Sequence, residues 1–225
     1  MKKFQTGDAI WMAMLTGITL FFTLPATNEI FTNLTADYPF VMGFLKFAIL
    51  ATMGELLALR LTCGIWKRPP GLAARIFVWG LIGITITFMF SFFSSGVAAM
   101  IDKGYLPAGS GGLKTFLQAF YTSLIMNLTF GPVFMAAHRV SDTYIDMCAA
   151  RKKPRGVDVI AAVNWEGFVN FVVAKTIPFW WIPIHTLTFL LPGEYRVLAA
   201  AYLSIILGVI LVYARGRRVQ KSEAQ

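Results

Sequence analysis

Thiols, imidazoles and acidic side chains are what this 225-residue chain has least of: cysteine and histidine number 2 each, Asp and Glu together 11. Cys63 and Cys148 stand far apart, with no second thiol or histidine at ligand spacing. That excludes a disulfide scaffold and a zinc cluster and leaves two free thiols. No glycine stands directly before a Lys-Ser or Lys-Thr pair, so there is no phosphate cradle for an ATP-driven motor. His-Glu-x-x-His is absent, which removes the zinc proteases. Gly109-Ser110-Gly111-Gly112 lacks the nucleophile-elbow spacing, and no Thr-Val-Gly-Tyr-Gly filter of the potassium-channel kind occurs. No acid, base or nucleophile constellation remains. The expectation is a protein that is not an enzyme and holds no cofactor and no metal. Charge is scarce as a whole, at 14% of residues against about 25% in soluble domains.

Apolar residues fill the space that charge leaves. They make up 57% of the chain, and the mean hydropathy is +0.65. They arrive in six blocks, at about residues 9–29, 39–61, 76–100, 116–137, 167–191 and 197–214. Each is near the roughly 20 residues that an α-helix needs to cross hydrocarbon. Alternation of the barrel type is missing. The expected fold is all-α: a polytopic transmembrane bundle of about six spans, four at the least, forming a single integral membrane domain over 1–225. A basic connection is drawn at 138–166 and a basic polar tail at 215–225. The basic start of the chain leads into an apolar run with no small-residue cleavage site, which reads as an uncleaved first span.

The cations set the orientation. Lys2 and Lys3, then Lys67, Arg68 and Arg75, then Arg139, Arg151, Lys152, Lys153 and Arg155, and finally Arg215, Arg217, Arg218 and Lys221 fall on one side of a six-span chain. Only Lys103, Lys114 and Arg196 fall on the other. Fourteen against three places both termini in the cytoplasm. The net charge of +9 is thereby explained by orientation in the membrane, and no nucleic-acid partner is expected. Arg151, Lys152, Lys153 and Arg155 are candidates for contact with anionic lipid or a protein partner. The absence of an Arg- and Ser-rich presequence favours a bacterial plasma membrane over a mitochondrial inner membrane.

Polar groups inside spans are costly and therefore informative. Lys46 and Glu55 are nine residues apart on one block and point to opposite sides, so neither can pair with the other. Glu55 is expected either in a wet interior or in an inter-helix pair. Arg60 is expected to reach back to the interface. Asn127, Lys175, His185 and Thr188 complete the set of pore-lining or polar interior candidates. Lys175 and His185 are read as sharing roughly one face. Pro132, Pro178, Pro183 and Pro192 are candidate helix breaks, and the two prolines at 178 and 183 are expected to kink the fifth span. Ser91, Ser94, Ser95, Gly96, Ala98 and Ala99 offer a small-residue packing face. Trp11, Trp66, Trp165, Trp180 and Trp181 read as an interfacial belt.

The last third of the chain resembles a known family. Trp181, His185, Thr188-Phe189, Pro192 and Arg196, followed by the apolar run 197–214, are similar to the C-terminal signature of the peroxisomal membrane 22-kilodalton protein family. Asn127-Leu128-Thr129-Phe130-Gly131-Pro132 looks like that family's polar-plus-proline motif, and Thr6-Gly7-Asp8 its early Gly-Asp pair. His185 stands where the family has glutamine, and Thr188 where it has asparagine. The likeness covers about 126–215, in a bacterial-type member. It implies a small channel-like protein that passes small solutes or ions. The main expectation is therefore a channel or permease working without nucleotide hydrolysis, with bilayer lipid and small solutes or ions as partners and a homo-oligomer compatible with it. The alternative is a non-transporting structural protein that binds a partner or lipid.

Overall fold

The computed structural model describes residues 3–223, with side chains through 210 and at 212. Lys2 and the side chains of Arg215, Arg217, Arg218 and Lys221 lie outside the described residues. Helices account for the described chain, with no strand among the described residues. In order they are α1 (Thr6–Thr23), α2 (Pro25–Asp37), α3 (Pro39–Cys63), α4 (Leu72–Asp102), α5 (Gly111–Ala149), α6 (Gly156–Ala162), α7 (Trp165–Leu190) and α8 (Gly193–Glu223). Six of these, α1, α3, α4, α5, α7 and α8, are long and apolar enough to cross a membrane. The chain is a multi-pass membrane protein built as an all-α bundle.

Prolines and glycines set the element boundaries more than hydropathy does. Extended Leu24 followed by Pro25 at the first turn of α2 ends the first span at Thr23, so the block drawn to 29 is cut short. The rest of it joins a separate helix, α2, whose apolar content is low enough to lie beside the bundle rather than cross it. Pro39 starts α3 in the same way. Gly64, at φ +80°, ends α3 with its N–H on the Arg60 carbonyl, a left-handed stop that side chains disfavour. The basic connection drawn from 138 begins only after Ala149. Nothing between 138 and 149 stops the helix, so α5 runs 39 residues, about 58 Å, and outreaches a bilayer of about 40–45 Å.

The prolines inside spans interrupt less than expected. α5 passes through Pro132. The carbonyl that loses its donor there belongs to Leu128, on a face turned outward. α7 also stays continuous. From Phe168 to Trp181 it winds as a wide π-helix that contains Pro178, and from Ile182 to Leu190 it returns to α geometry with Pro183 in its first turn. The Ile182 N–H bonds to the Ile177 carbonyl, five residues back, marking the wide turn. Pro192 lies between α7 and α8 and does end a helix.

α3 is the centre of the bundle, packed along α4 on one side and α8 on the other. Its closest approach to α4 is at Gly43 and Gly83, where a methyl on Gly83 would overlap the Gly43 carbonyl and one on Gly43 would overlap Thr87. The small-residue face expected at 91–99 is not this contact: a methyl on Gly96 would meet nothing. The main core gathers Phe47, Leu50, Ile86, Phe90, Met126, Phe189 and Ala201. Over it lies α2, anchored by fully buried Phe31, whose ring centre is 4.6 Å from that of Phe22 and tilted to it by 59°. The Asn28 amide and the Tyr195 hydroxyl, 2.7 and 2.9 Å apart, fasten α2 to α8.

Gly83→Ala is expected to cost about 1–3 kcal/mol, the usual scale for overpacking, because backbone on the facing helix cannot give way. Gly96→Ala should be neutral. Denaturation midpoints of the two variants in one detergent decide the comparison.

Candidate functional site

A cavity of about 790 Å³ lies inside the bundle, walled by α3, α4, α5, α7 and α8. Its lining is mostly apolar and aromatic, with Phe47, Phe130, Phe134, Phe168, Phe171 and Trp181 among the walls. Polar groups sit at two levels. One is the end of the bundle where α3 stops and α4 starts, the cation-rich end. The other is at mid-depth.

The cation-rich level is organised by Arg75, near the start of α4. Its Nη1 donates to Glu55 Oε1 at 2.9 Å and to Asp142 Oδ1 at 3.0 Å, and its Nη2 donates to Asp146 Oδ1 at 2.6 Å. Its Nε donates to the Pro70 carbonyl at 3.1 Å. One guanidinium thus holds carboxylates from α3 and α5 against α4. The pairing compensates the desolvation of a side chain that is only 8% exposed. Trp79 Nε1 donates to Glu55 Oε2 at 3.2 Å, and its ring lies 4.4 Å from that of His138. His138 Nε2 is 3.6 Å from Asp142 Oδ2, while its Nδ1 is buried without a partner.

At mid-depth Asn127 and His185 meet. His185 Nδ1 lies 3.2 Å from Asn127 Nδ2 and 3.3 Å from Oδ1, so the imidazole tautomer decides which amide atom it bonds. Asn127 Nδ2 also donates to the Ser123 carbonyl at 2.8 Å, and Ser123 Oγ donates to the Ile182 carbonyl at 2.7 Å. Rings of Trp181 and Phe90 stand 5.0 and 5.5 Å from the imidazole. Beyond Phe90 and Phe189 the core is closed. The cavity is therefore lined by polar groups both at the cation-rich end and at the Asn127–His185 pair.

Of the six polar candidates, Glu55, Asn127 and His185 line this cavity. Lys46, Lys175 and Thr188 do not. Lys46 is buried at the far end under α2, with Nζ 3.0 Å from Thr35 Oγ1 and 4.6 Å from the centre of the Phe31 ring. Thr188 is buried and returns its hydroxyl to the Ile184 carbonyl at 2.9 Å. Lys175 faces outward and does not share a face with His185. The wide turns of α7 rotate each residue by less than an α-helix does, so ten residues carry the two side chains to different sides. Arg60, in the last turn of α3, donates past the helix end to the Gly64 and Lys3 carbonyls, at 2.6 and 3.0 Å. It is clamped by Asp8 of α1 through Nε and Nη2, both at 2.8 Å, with Trp66 Nε1 on the same carboxylate at 3.0 Å. Trp181 belongs to the cavity wall rather than to a belt.

Arg75, Trp79, His138, Asp142 and Asp146 were not among the candidates. The signal for three of them was present: His138, Asp142 and Asp146 recur every four residues, one stripe of a continuing helix. Of the basic connection, Arg155 is engaged by Asp158, at 3.2 and 3.3 Å. Arg155 beside it holds the Asp158 carboxyl below the usual carboxylate range. Arg151, Lys152 and Lys153 are exposed there.

Arg75→Met would leave Glu55, Asp142 and Asp146 together without their cation. These carboxylates are 22%, 29% and 57% exposed and keep part of their water. The loss should therefore be smaller than about 3–5 kcal/mol, the cost typical of breaking a fully buried pair from one side, read as a lower thermal unfolding temperature in detergent. Arg75→Lys, with one compact donor in place of the fork, should recover only part of the loss.

No family model, no curated protein and no solved structure matches this chain.

Proposed function

We propose that the protein passes small solutes or ions across a bilayer through this cavity, without nucleotide hydrolysis. The observation that carries the reading is the cavity itself: about 790 Å³ inside a membrane bundle, with Glu55 at its charged level and Asn127 and His185 deeper in its wall. Groups placed so deep among apolar helices are costly, and a hydrated path gives them a use. The sequence likeness of 126–215 to the peroxisomal membrane 22-kilodalton protein family supports the same reading. A bacterial plasma membrane is the setting this reading assigns.

A second reading is a non-transporting structural or lipid-binding protein. The observation in its favour is that Arg60 and Arg75 are both fully paired across helices, as inter-helix fastenings would be.

Release of neutral and charged probes of graded size from proteoliposomes separates the two. The transport reading expects size-graded release, and expects Gly131→Leu to suppress it strongly. Gly131 lines the cavity, and a methyl there would meet only Ile177 and Asn127, at 3.6 Å or more, so a larger side chain extends into free space. Glu55→Gln should shift preference away from cations. Tight liposomes containing folded protein would remove the transport reading and leave the structural one.

A further inference from the structure

A second, shallower space of about 420 Å³ lies on the outer side of α7. Asn164, Glu166, Gly167, Asn170, Phe171 and Lys175 line it. Glu166, Asn170 and Lys175 are exposed, and none of the three has a hydrogen bond or ion pair among the described residues. All three stand on a helix long and apolar enough to cross a membrane. A lysine, a glutamate and an amide unpartnered on a lipid-facing surface are costly unless a polar ligand meets them.

The wide helix is what brings them together. Glu166 and Lys175 are nine residues apart, about two and a half turns of an α-helix, which would set them on opposite faces. Turns closed by bonds from i to i+5 carry Glu166, Asn170 and Lys175, spaced by four and then five, onto one face. The wide turns also shorten the rise between them, and the four-carbon arm of Lys175 can lean back toward the interface at Trp165.

We propose that this groove holds the headgroup of one zwitterionic phospholipid from the surrounding bilayer, its phosphate on Lys175 and its cationic amine on Glu166. The groove offers one charge of each sign and two amides, Asn164 and Asn170, so a headgroup bearing both charges is matched. A purely anionic headgroup would leave Glu166 opposed by like charge. The flanks belong to acyl chains: Val169 is 52% exposed and Phe179 80%. These apolar neighbours favour a lipid over a free phosphate compound as the ligand. The site stands apart from the transport reading, and tight liposomes would leave it untouched.

The test is native mass spectrometry of the full chain released from detergent, with dioleoyl phosphatidylethanolamine and dioleoyl phosphatidylglycerol supplied in equal amounts. One phosphatidylethanolamine should be retained in preference. Glu166→Gln and Lys175→Gln should each weaken its retention about tenfold, the scale of one lost charge-assisted bond, and Glu166→Gln should also abolish the preference. Lys175→Arg should keep it. Melting temperatures without lipid should not move, because both side chains are exposed and unpartnered. Equal retention of the two lipids by the wild type would overturn the proposal. So would a Glu166→Gln variant that binds as before, which would mark Lys175 as a lysine merely reaching for the interface. Displacement by an equimolar amount of O-phosphoethanolamine, which has no acyl chains to bind the flanks, would assign the groove to a free solute and overturn the lipid. Should a variant fail to fold, the wild-type preference and the competition decide alone.

Discussion

Arg75 cannot enter the bundle without company, and the company it keeps holds three helices in register. A guanidinium at 8% exposure loses most of its water, and only several oxygens at bonding distance make that tolerable. Glu55 comes from the last third of the chain's central helix, Asp142 and Asp146 from the far turns of α5. Because these carboxylates are fixed to the same cation, α3, α4 and α5 meet at the cation-rich end through polar bonds instead of side-chain interdigitation. Space is left just beneath, and the cavity occupies it. At the opposite end no such knot exists among the described residues, and Leu50, Phe90 and Phe189 belong to an apolar core over glycine contacts. The contrast between a charged, hollow end and an apolar, packed end follows from where the arginine sits.

Much of the architecture could be read from the chain before any coordinates, because hydropathy reports what crosses a bilayer. Spans at 39–61 and 76–100 differ from α3 and α4 by a few residues at each end. Local chemistry was harder to see where two rules competed. The Leu24-Pro25 break sits inside an apolar run, so α2 was folded into the first span. His138, Arg139 and Asp142 look like the start of a loop when charge is taken as the end of a helix. Yet in a helix long enough to leave the membrane, charge is simply the part in water.

The site was legible only as a set of suspects. Glu55 was recognisable by its cost, but its partner is twenty residues away in the chain and on another helix. Asp8 and Arg60 are separated by fifty-two, and nothing local joins them. Pairing between spans depends on rotation about each helix axis, which hydropathy leaves undetermined. The π-helical winding of α7 hides further, since placing Lys175 relative to His185 requires knowing how many residues complete each turn. Asn127 and His185 do meet, because both lie on faces turned inward beside the Ser123–Ile182 bond.

The winding of α7 also bears on bilayer thickness. Its 26 residues would reach about 39 Å as a uniform α-helix, but a fourteen-residue stretch of wider turns advances less per residue. α7 is therefore a shorter stave than its residue count implies, beside α5, the longest in the bundle. A membrane meeting this wall has a smaller hydrophobic height to match than it has on the α4 side, and it can thin locally to do so. Uneven height around one protein is a mechanical asymmetry, one that would favour particular neighbours and particular membrane regions over others.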